Sequence, residues 1–397
     1  MRLPLVGMLL LVMVNLAADT YIYIQCRRRF RSLIPAKLQL FSAIALYLLL
    51  AVIVCLPYRS GSETLLTAVM WLLFGYFSVY IPKYLFVVFD LVASVPKLFG
   101  RGRMRWLTLA GAFAGCVLFI AMWWGALISR YRVDVREVTV ECAGLPAAFD
   151  GYRIVQFSDL HVGTYGDDTS FVEKVVDRIN SLNPDLIVFT GDIVNRRTDE
   201  IVPFVSVLSG LEAPDGVVSI LGNHDYGDYS DWESPEAKAR NMAEMYKAQS
   251  DMGWRLLLNE HIFLHRGNDS VAVIGVENIG DPPFHSYGSL YKAYPDVSDG
   301  NAKILLSHNP AHWVDSVSGN EAVNIDLTLS GHTHAMQIEV CGVSPAVFRY
   351  RTWGGLYSSE NGFGGKLYVN IGLGTVGIPM RLGATPEITV ITLTSRK

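Results

Sequence analysis

Arg153-Ile154-Val155-Gln156-Phe157-Ser158-Asp159-Leu160-His161 is the stretch from which the rest of the chain can be read: a short apolar run that ends on side chains able to bind metals. The pattern recurs. Leu186-Ile187-Val188-Phe189 leads into Gly191-Asp192, and Val217-Val218-Ser219-Ile220-Leu221 leads into Gly222-Asn223-His224-Asp225. Lys303-Ile304-Leu305-Leu306 leads into Ser307-His308-Asn309, and Asp326-Leu327-Thr328-Leu329 into Gly331-His332-Thr333-His334. Short, nearly continuous apolar runs are the mark of strands buried on both faces, and each motif lies just past the carboxyl end of one. Ligand sites in α/β sheets collect at those ends, so the five loops can converge on one rim. Helices fill some of the gaps. Phe171, Val172, Val175, Val176 and Ile179 share one helical face behind the capping candidates Asp168 to Ser170. Ser234-Pro235 opens a second helix, serine as cap and proline at the first position, running toward Gly253. From about residue 130 to 397 the chain reads as one α/β domain, long enough to bury a full core.

Asp159, His161, Asp192, Asn223, His308, His332 and His334 together offer two carboxylates, one amide oxygen and four imidazoles. Oxygen donors mixed with imidazole suit Mn, Fe or Zn, and no cysteine lies in any of the motifs. Seven such groups are too many for one tetrahedral ion. Two divalent metal ions sharing a carboxylate need about this number, with positions left for water and substrate. Two divalent cations against two carboxylates leave a net positive centre, which attracts a phosphate. Singly, each residue has a plainer reading: a lone His161 or His312 is more often a satisfied core or surface histidine, and a lone Asp192 after a strand a turn former. Their joint order carries the metal reading.

In that order, the motifs Asp159-Leu160-His161, Gly191-Asp192, Gly222-Asn223-His224-Asp225, the single His308 and Gly331-His332-Thr333-His334 resemble the calcineurin-like metallophosphoesterase family across essentially all of the soluble part. The closing segment Tyr368-Val369-Asn370-Ile371-Gly372-Leu373-Gly374, through Arg381 to Pro386-Glu387-Ile388, resembles the bacterial membrane-anchored branch of that family. The resemblance implies a four-layer sandwich, two central β-sheets flanked by helices, and a metal-dependent phosphoesterase. Carried over residue by residue, Asp159, His161 and His334 would hold one metal and Asn223, His308 and His332 the other, with Asp192 bridging. The pair would lower the pKa of a shared water and clamp the attacking and leaving oxygens of an in-line displacement. His224 would stand beside the substrate, protonating the leaving group or steadying phosphoryl oxygens, and Asp225 would orient it on the substrate side. Arg381 is a candidate for a substrate phosphate or for a structural ion pair. One departure is local. The branch usually continues its last motif with two glycines, whereas here Ala335 and Met336 precede Gln337, which affects the pocket wall and not the ligands. Residues 225–232, with three aspartates, read more readily as a solvated acidic loop than as the substrate mouth.

The remaining third of the chain is membrane. Hydrophobic residues make up 51% of the sequence, and they crowd into long runs at about residues 3–24, 38–56, 65–95 and 106–128. Each is near or above the roughly 20 residues of a spanning helix. The third run is long and holds Pro82, Lys83 and Asp90, so a hairpin is the alternative to a single span. Arg27, Arg28, Arg29, Arg31 and Lys37 follow the first run and Lys97, Arg101, Arg103 and Arg105 the third, whereas the second loop carries only Arg59 and Glu63. Basic loops stay cytoplasmic, so four single spans place residues 1–129 in the inner membrane and the domain at 130–397 outside it. A cleaved signal peptide, with Leu16-Ala17-Ala18 as its site, is the alternative for the first run. It would strand the Arg27 to Lys37 charges outside.

Net charge is −4, without the basic excess that a nucleic-acid partner requires. Cys142 and Cys341 are the two cysteines of the soluble part, and two in a large domain are more often unpaired. The expected partners are the lipid bilayer and a phosphorylated, lipid-linked substrate, since a domain tethered by four spans works within reach of head groups. Two rivals stand beside this expectation. One is a cytoplasmic-facing pyrophosphatase cleaving a UDP-diacylglucosamine-type precursor of lipid A; the other is a non-catalytic metal- or lipid-binding sensor.

Overall fold

A computed structural model describes residues 5–57, 62–281, 285–294, 302–359 and 365–395. Arg59 and the first residues of the leading apolar run lie outside the described residues. The chain divides into two compact units, with the main break between Leu127 and Ile128.

The first unit holds α1 (Leu5–Arg29), α2 (Ile34–Cys55), α3 (Glu63–Ser94) and α4 (Arg105–Leu127). All four are long and apolar enough to cross a membrane. The third run is one continuous helix with Pro82 inside it, not a hairpin. The charges that suggested a break find partners within the bundle. Lys83 pairs with Asp19 of α1 at 2.9 Å, and Asp90 pairs with Arg29 at 2.6 Å and with Arg103. Asp19 also accepts from Gln39 and Tyr80, so α1, α2 and α3 meet through one polar cluster. Gly111 and Gly115 let α4 approach α3, because a Cβ at either would run into Phe89 or Pro82.

The second unit is built on two six-stranded sheets. Its strands are β1 (Asp134–Cys142), β2 (Arg153–Phe157), β3 (Leu186–Phe189), β4 (Val217–Ser219), β5 (Arg255–Leu256), β6 (Glu260–Arg266), β7 (Asp269–Gly275), β8 (Lys303–Leu306), β9 (Leu327–Ser330), β10 (Gly355–Ser358), β11 (Lys366–Val369) and β12 (Glu387–Ser395). The first sheet runs β1-β12-β2-β3-β4-β5 and the second β10-β11-β9-β8-β7-β6. Strands β2 to β5 are mutually parallel, as are β7, β8, β9 and β11. All five motifs therefore emerge from one end of their sheet.

The continuous apolar runs are sorted by the two-residue period of the strand. In β2 and β3, Ile154, Leu186 and Val188 point into the core between the sheets, where they meet Val273, Ile304, Leu306 and Leu329. Their neighbours Val155, Ile187 and Phe189 point the other way, onto Phe171, Val172 and Val175 of α5 (Ser170–Asn180), Leu208 of α6 (Val205–Leu208) and Met245 of α7 (Pro235–Asp251). Ser234 caps α7 by accepting from the Ala237 amide at 3.2 Å. On the far side of the second sheet, Ile274, Leu305 and Val369 are covered by Trp313, Val317 and Ala293 from short helical turns. The fold is thus two mixed sheets flanked by helices, the cover of the second sheet being the thinner. Cys142 is buried and Cys341 exposed, and both are free thiols.

Candidate metal centre

Sharp turns carry the candidates out of the strands. Asp159, His161, Asp192, His332 and His334 all have positive φ, between 47° and 78°. Ordinary residues avoid this region, so the loops are held there by other contacts. Asp159 donates its amide to Gly191 O at 2.9 Å, and Gly331 donates to His308 O at 2.9 Å. Glycine precedes Asp192 and Asn223 because the loops touch: a Cβ on Gly191 would stand 2.9 Å from His308 Nδ1, and one on Gly222 would strike the Asp192 carboxylate.

The five loops bring the seven candidates into two adjoining clusters. Asp159, His161 and His334 form one and Asp192, His308 and His332 the other, each with ligand atoms within 4.8 Å of one another. Asp192 Oδ2 lies 3.2 Å from His308 Nε2 and 3.7 Å from His161 Nε2, and so stands between the clusters. Asn223 Oδ1 is 3.1 Å from His308 Nε2, on the second cluster. Outer contacts set the rings. His161 Nδ1 donates to Val194 O at 3.1 Å and His308 Nδ1 to Thr190 O at 2.7 Å, which aims Nε2 of each inward. His332 Nε2 meets the Tyr350 hydroxyl at 2.9 Å, leaving Nδ1 to the cluster.

The donor set fits divalent cations. His334 Nε2 is 3.1 Å from His161 Nε2 and 3.2 Å from Asp159 Oδ1, so two acceptors converge on one ring N–H. His308 Nε2 likewise faces Asp192, Asn223 and His332 Nδ1. Burial alone would depress the His308 pKa, but the Asp192 and Asp159 charges outweigh it and push it up to about 9. Burial holds His332 down at about 3 and His161 well below the usual histidine range, so both rings are neutral, the form in which imidazole can bind a metal. Asp159 and Asp192 are buried, yet the histidines around them hold both carboxyls well below their ordinary range. Two buried carboxylates that draw protons onto their neighbours form a site for positive charge.

His224 lines a cavity of about 250 Å³ against this centre, with Asn223, Tyr229, Asn278, His332 and Tyr350. Its amide donates to Asp192 Oδ1 at 2.8 Å, its Nδ1 contacts Asn195 O, and its ring stacks on Tyr229 at 4.3 Å. Nε2 is left as the atom available to a substrate. Asp225 and Arg381 take other places than those expected at the substrate. Both are fully buried. The Asp225 carboxylate accepts from the amides of Asp192, Ile193, Val194 and Gly222 at 2.8–3.3 Å, and so clamps the turn that carries Asp192. Arg381 donates to the carbonyls of Gly374, Ala384 and Ile371 and to His334 Nδ1 at 3.2 Å, and so holds the His334 ring from behind. Sequence reasoning missed Asn195, Tyr350 and Arg349, which no motif marks. It also undervalued Tyr229, which sits in the loop read as solvated.

Comparison with known proteins gives the family. A family model described as calcineurin-like phosphoesterase matches residues 152–336. Another, described as the probable transmembrane domain of calcineurin-like phosphoesterases, matches residues 1–130. The chain is 32% identical to the uncharacterized metallophosphoesterase YkuE of Bacillus subtilis, over 68% of this chain and 88% of the relative. It is 30% identical to a transmembrane protein with metallophosphoesterase domain from Bos taurus, over 73% of this chain and 64% of the relative. It is 31% identical to UDP-2,3-diacylglucosamine pyrophosphatase LpxG of Chlamydia muridarum, over 49% of this chain and 67% of the relative. These matches show the family: the chain belongs to the calcineurin-like metallophosphoesterases, metal-dependent phosphoester hydrolases, in a form that carries a transmembrane domain.

Proposed function

We propose that this protein hydrolyses a phosphoester or pyrophosphate bond in a lipid-linked substrate. The observation that carries the reading is the cavity beside the two clusters, lined at once by the ligand candidates Asn223 and His332 and by His224. Asp159, His161 and His334 would hold one divalent ion, Asn223, His308 and His332 the other, and Asp192 both. Ions of the Mn, Fe or Zn type would supply Lewis acidity there and lower the pKa of a water. The chain's own part is positioning. Val194 O and Thr190 O fix which nitrogen His161 and His308 present, and Asp225 fixes the Asp192 turn. His224, held through Nδ1 and stacked on Tyr229, offers Nε2 to the leaving oxygen or to a phosphoryl oxygen. The test is turnover of a chromogenic phosphodiester by the detergent-purified protein with added Mn²⁺. Asp192→Asn should lower kcat at least about 100-fold, in line with removal of a transition-state electrostatic group. Turnover that survives unchanged in Asp192→Asn and in His224→Ala would show that the activity does not come from this centre, and would return the centre to the sensor reading.

A second reading draws on the likeness to the chlamydial pyrophosphatase: a diphosphate in a nucleotide-linked acylated sugar, cleaved on the cytoplasmic side. It needs the topology opposite to the one that the basic loops favour. We place the domain outside the inner membrane, because Arg27 to Lys37 and Lys97 to Arg105 would then both lie inside.

A further inference from the structure

The segment between the last ligand motif and the cavity wall is built as an apolar projection. Val340 and Val343 pair across a tight turn, with Val340 N donating to Val343 O at 2.9 Å and the return bond at 3.1 Å. Cys341 and Gly342 at the tip have φ of 51° and 78°, the twist of a two-residue hairpin turn. Ser344 then caps a short turn, Pro345–Phe348, by accepting from the Ala346 amide at 3.0 Å, and its own hydroxyl donates to Ala335 O. Glu339 ties the base to Leu382 O at 2.8 Å. The segment is thus fixed by hydrogen bonds, and yet it presents Val340 (61% exposed), Val343 (60%) and Phe348 (93%) to the outside. Fixed backbone with exposed large apolar side chains marks a surface meant to be covered. Exposed Arg349 and Arg351 follow Phe348, Arg349 pairing with Asp281 at 2.7 Å, and Arg349 and Tyr350 line the cavity.

We propose that this projection docks into the interface of the lipid bilayer, with Val340, Val343 and Phe348 among the acyl chains and Arg349 and Arg351 at head-group level. The chain itself argues for this occupant. Six residues, 128–133, separate the end of α4 from β1, and fully extended they reach only about 20 Å. A bilayer is therefore always within reach, whereas a protein partner would have to be recruited. Apolar side chains bordered by arginine and tyrosine are the composition of an interfacial anchor. Because the projection runs from the His334 loop to the Tyr350 wall, docking it would bring the cavity mouth to the head groups. The docking does not depend on the catalytic reading, and its test reads no turnover.

The experiment uses the full chain with Cys26, Cys55 and Cys116 changed to alanine and a nitrobenzoxadiazole label on Cys341. Cys142 stays, since burial pushes its thiol up to about 12 and keeps it unreactive. In nanodiscs of phosphatidylethanolamine and phosphatidylglycerol, doxyl-acyl lipid should quench this label at least twofold more than the same label on Tyr291→Cys with Cys341 also changed to alanine, Tyr291 being 94% exposed in the wild-type chain. Iodide should quench it less. Adding Val343→Ser and Phe348→Ser should bring Cys341 to the Tyr291→Cys level. Equal quenching at the two sites overturns the proposal. So does doxyl quenching that persists in the serine variant, because the dye would then be inserting by itself, and so does shielding from iodide without doxyl contact, which would mark a protein interface.

Discussion

The turn after the last ligand candidate is the strained point of the site. His334, Ala335, Met336 and Gln337 are four consecutive residues in the left-handed region, with φ between 46° and 60°. Each non-glycine residue there costs roughly 1–2 kcal/mol, and glycine returns about 0.5–1 of that through the unfolded chain. Met336 is 46% exposed, whereas the Ala335 methyl is buried with Ile371 and Ala384. Met336→Gly should therefore raise the midpoint of thermal unfolding, by about 0.5–1 kcal/mol of stability, followed by tryptophan fluorescence in detergent. A lower midpoint would refute the strain account. The same scale shows where sequence reading stops. Asp225 and Arg381 have the right chemistry for a substrate and stand in the right motifs, yet their side chains turn inward to satisfy backbone amides and carbonyls, and no spacing rule encodes that direction.

Among the elements, a small polar cluster joins the two sheets at one edge. Asp215, in the turn before β4, takes a bidentate pair from Arg266 at the end of β6, at 2.7 and 3.0 Å, and a hydrogen bond from Tyr152 just before β2. Partial burial pushes the Asp215 carboxyl up, but the Arg266 and Tyr152 bonds outweigh it and hold its pKa below the ordinary value. A lowered folded pKa means stability that is present above the unfolded value of about 3.9 and is lost as pH falls through the folded value. Asp215→Asn should cost about 1 kcal/mol at pH 7, and its urea midpoint should merge with wild type as the pH falls through the lowered folded value. A deficit that stays constant with pH would place the loss in packing instead. Strand cores were legible as apolar runs and α7 as a capped helix. The single-span state of the third run was not, because it depends on Lys83 and Asp90 finding partners on α1, more than 60 residues away.

For the whole molecule the decisive quantity is the side of the membrane on which the domain works. With Cys26, Cys55, Cys116 and Cys341 replaced, a cysteine at Val202, 68% exposed in the wild-type chain, should react with an impermeant maleimide in intact spheroplasts. Reaction only after permeabilisation would reverse the topology and favour the cytoplasmic pyrophosphatase reading. Taken alone, the sequence determined the membrane spans, the strand-end motifs and the identity of the seven candidate ligands. These are local properties, written in apolar runs and in the glycine or turn residue beside each polar group. Only the tertiary structure decided that Asp192 lies between two clusters, that Tyr229 and Tyr350 wall the cavity, that Asp225 and Arg381 brace the ligand loops from behind, and that residues 336–348 project. Each of those depends on which distant loops touch, and such contacts arise only when two sheets pack face to face with their carboxyl ends together.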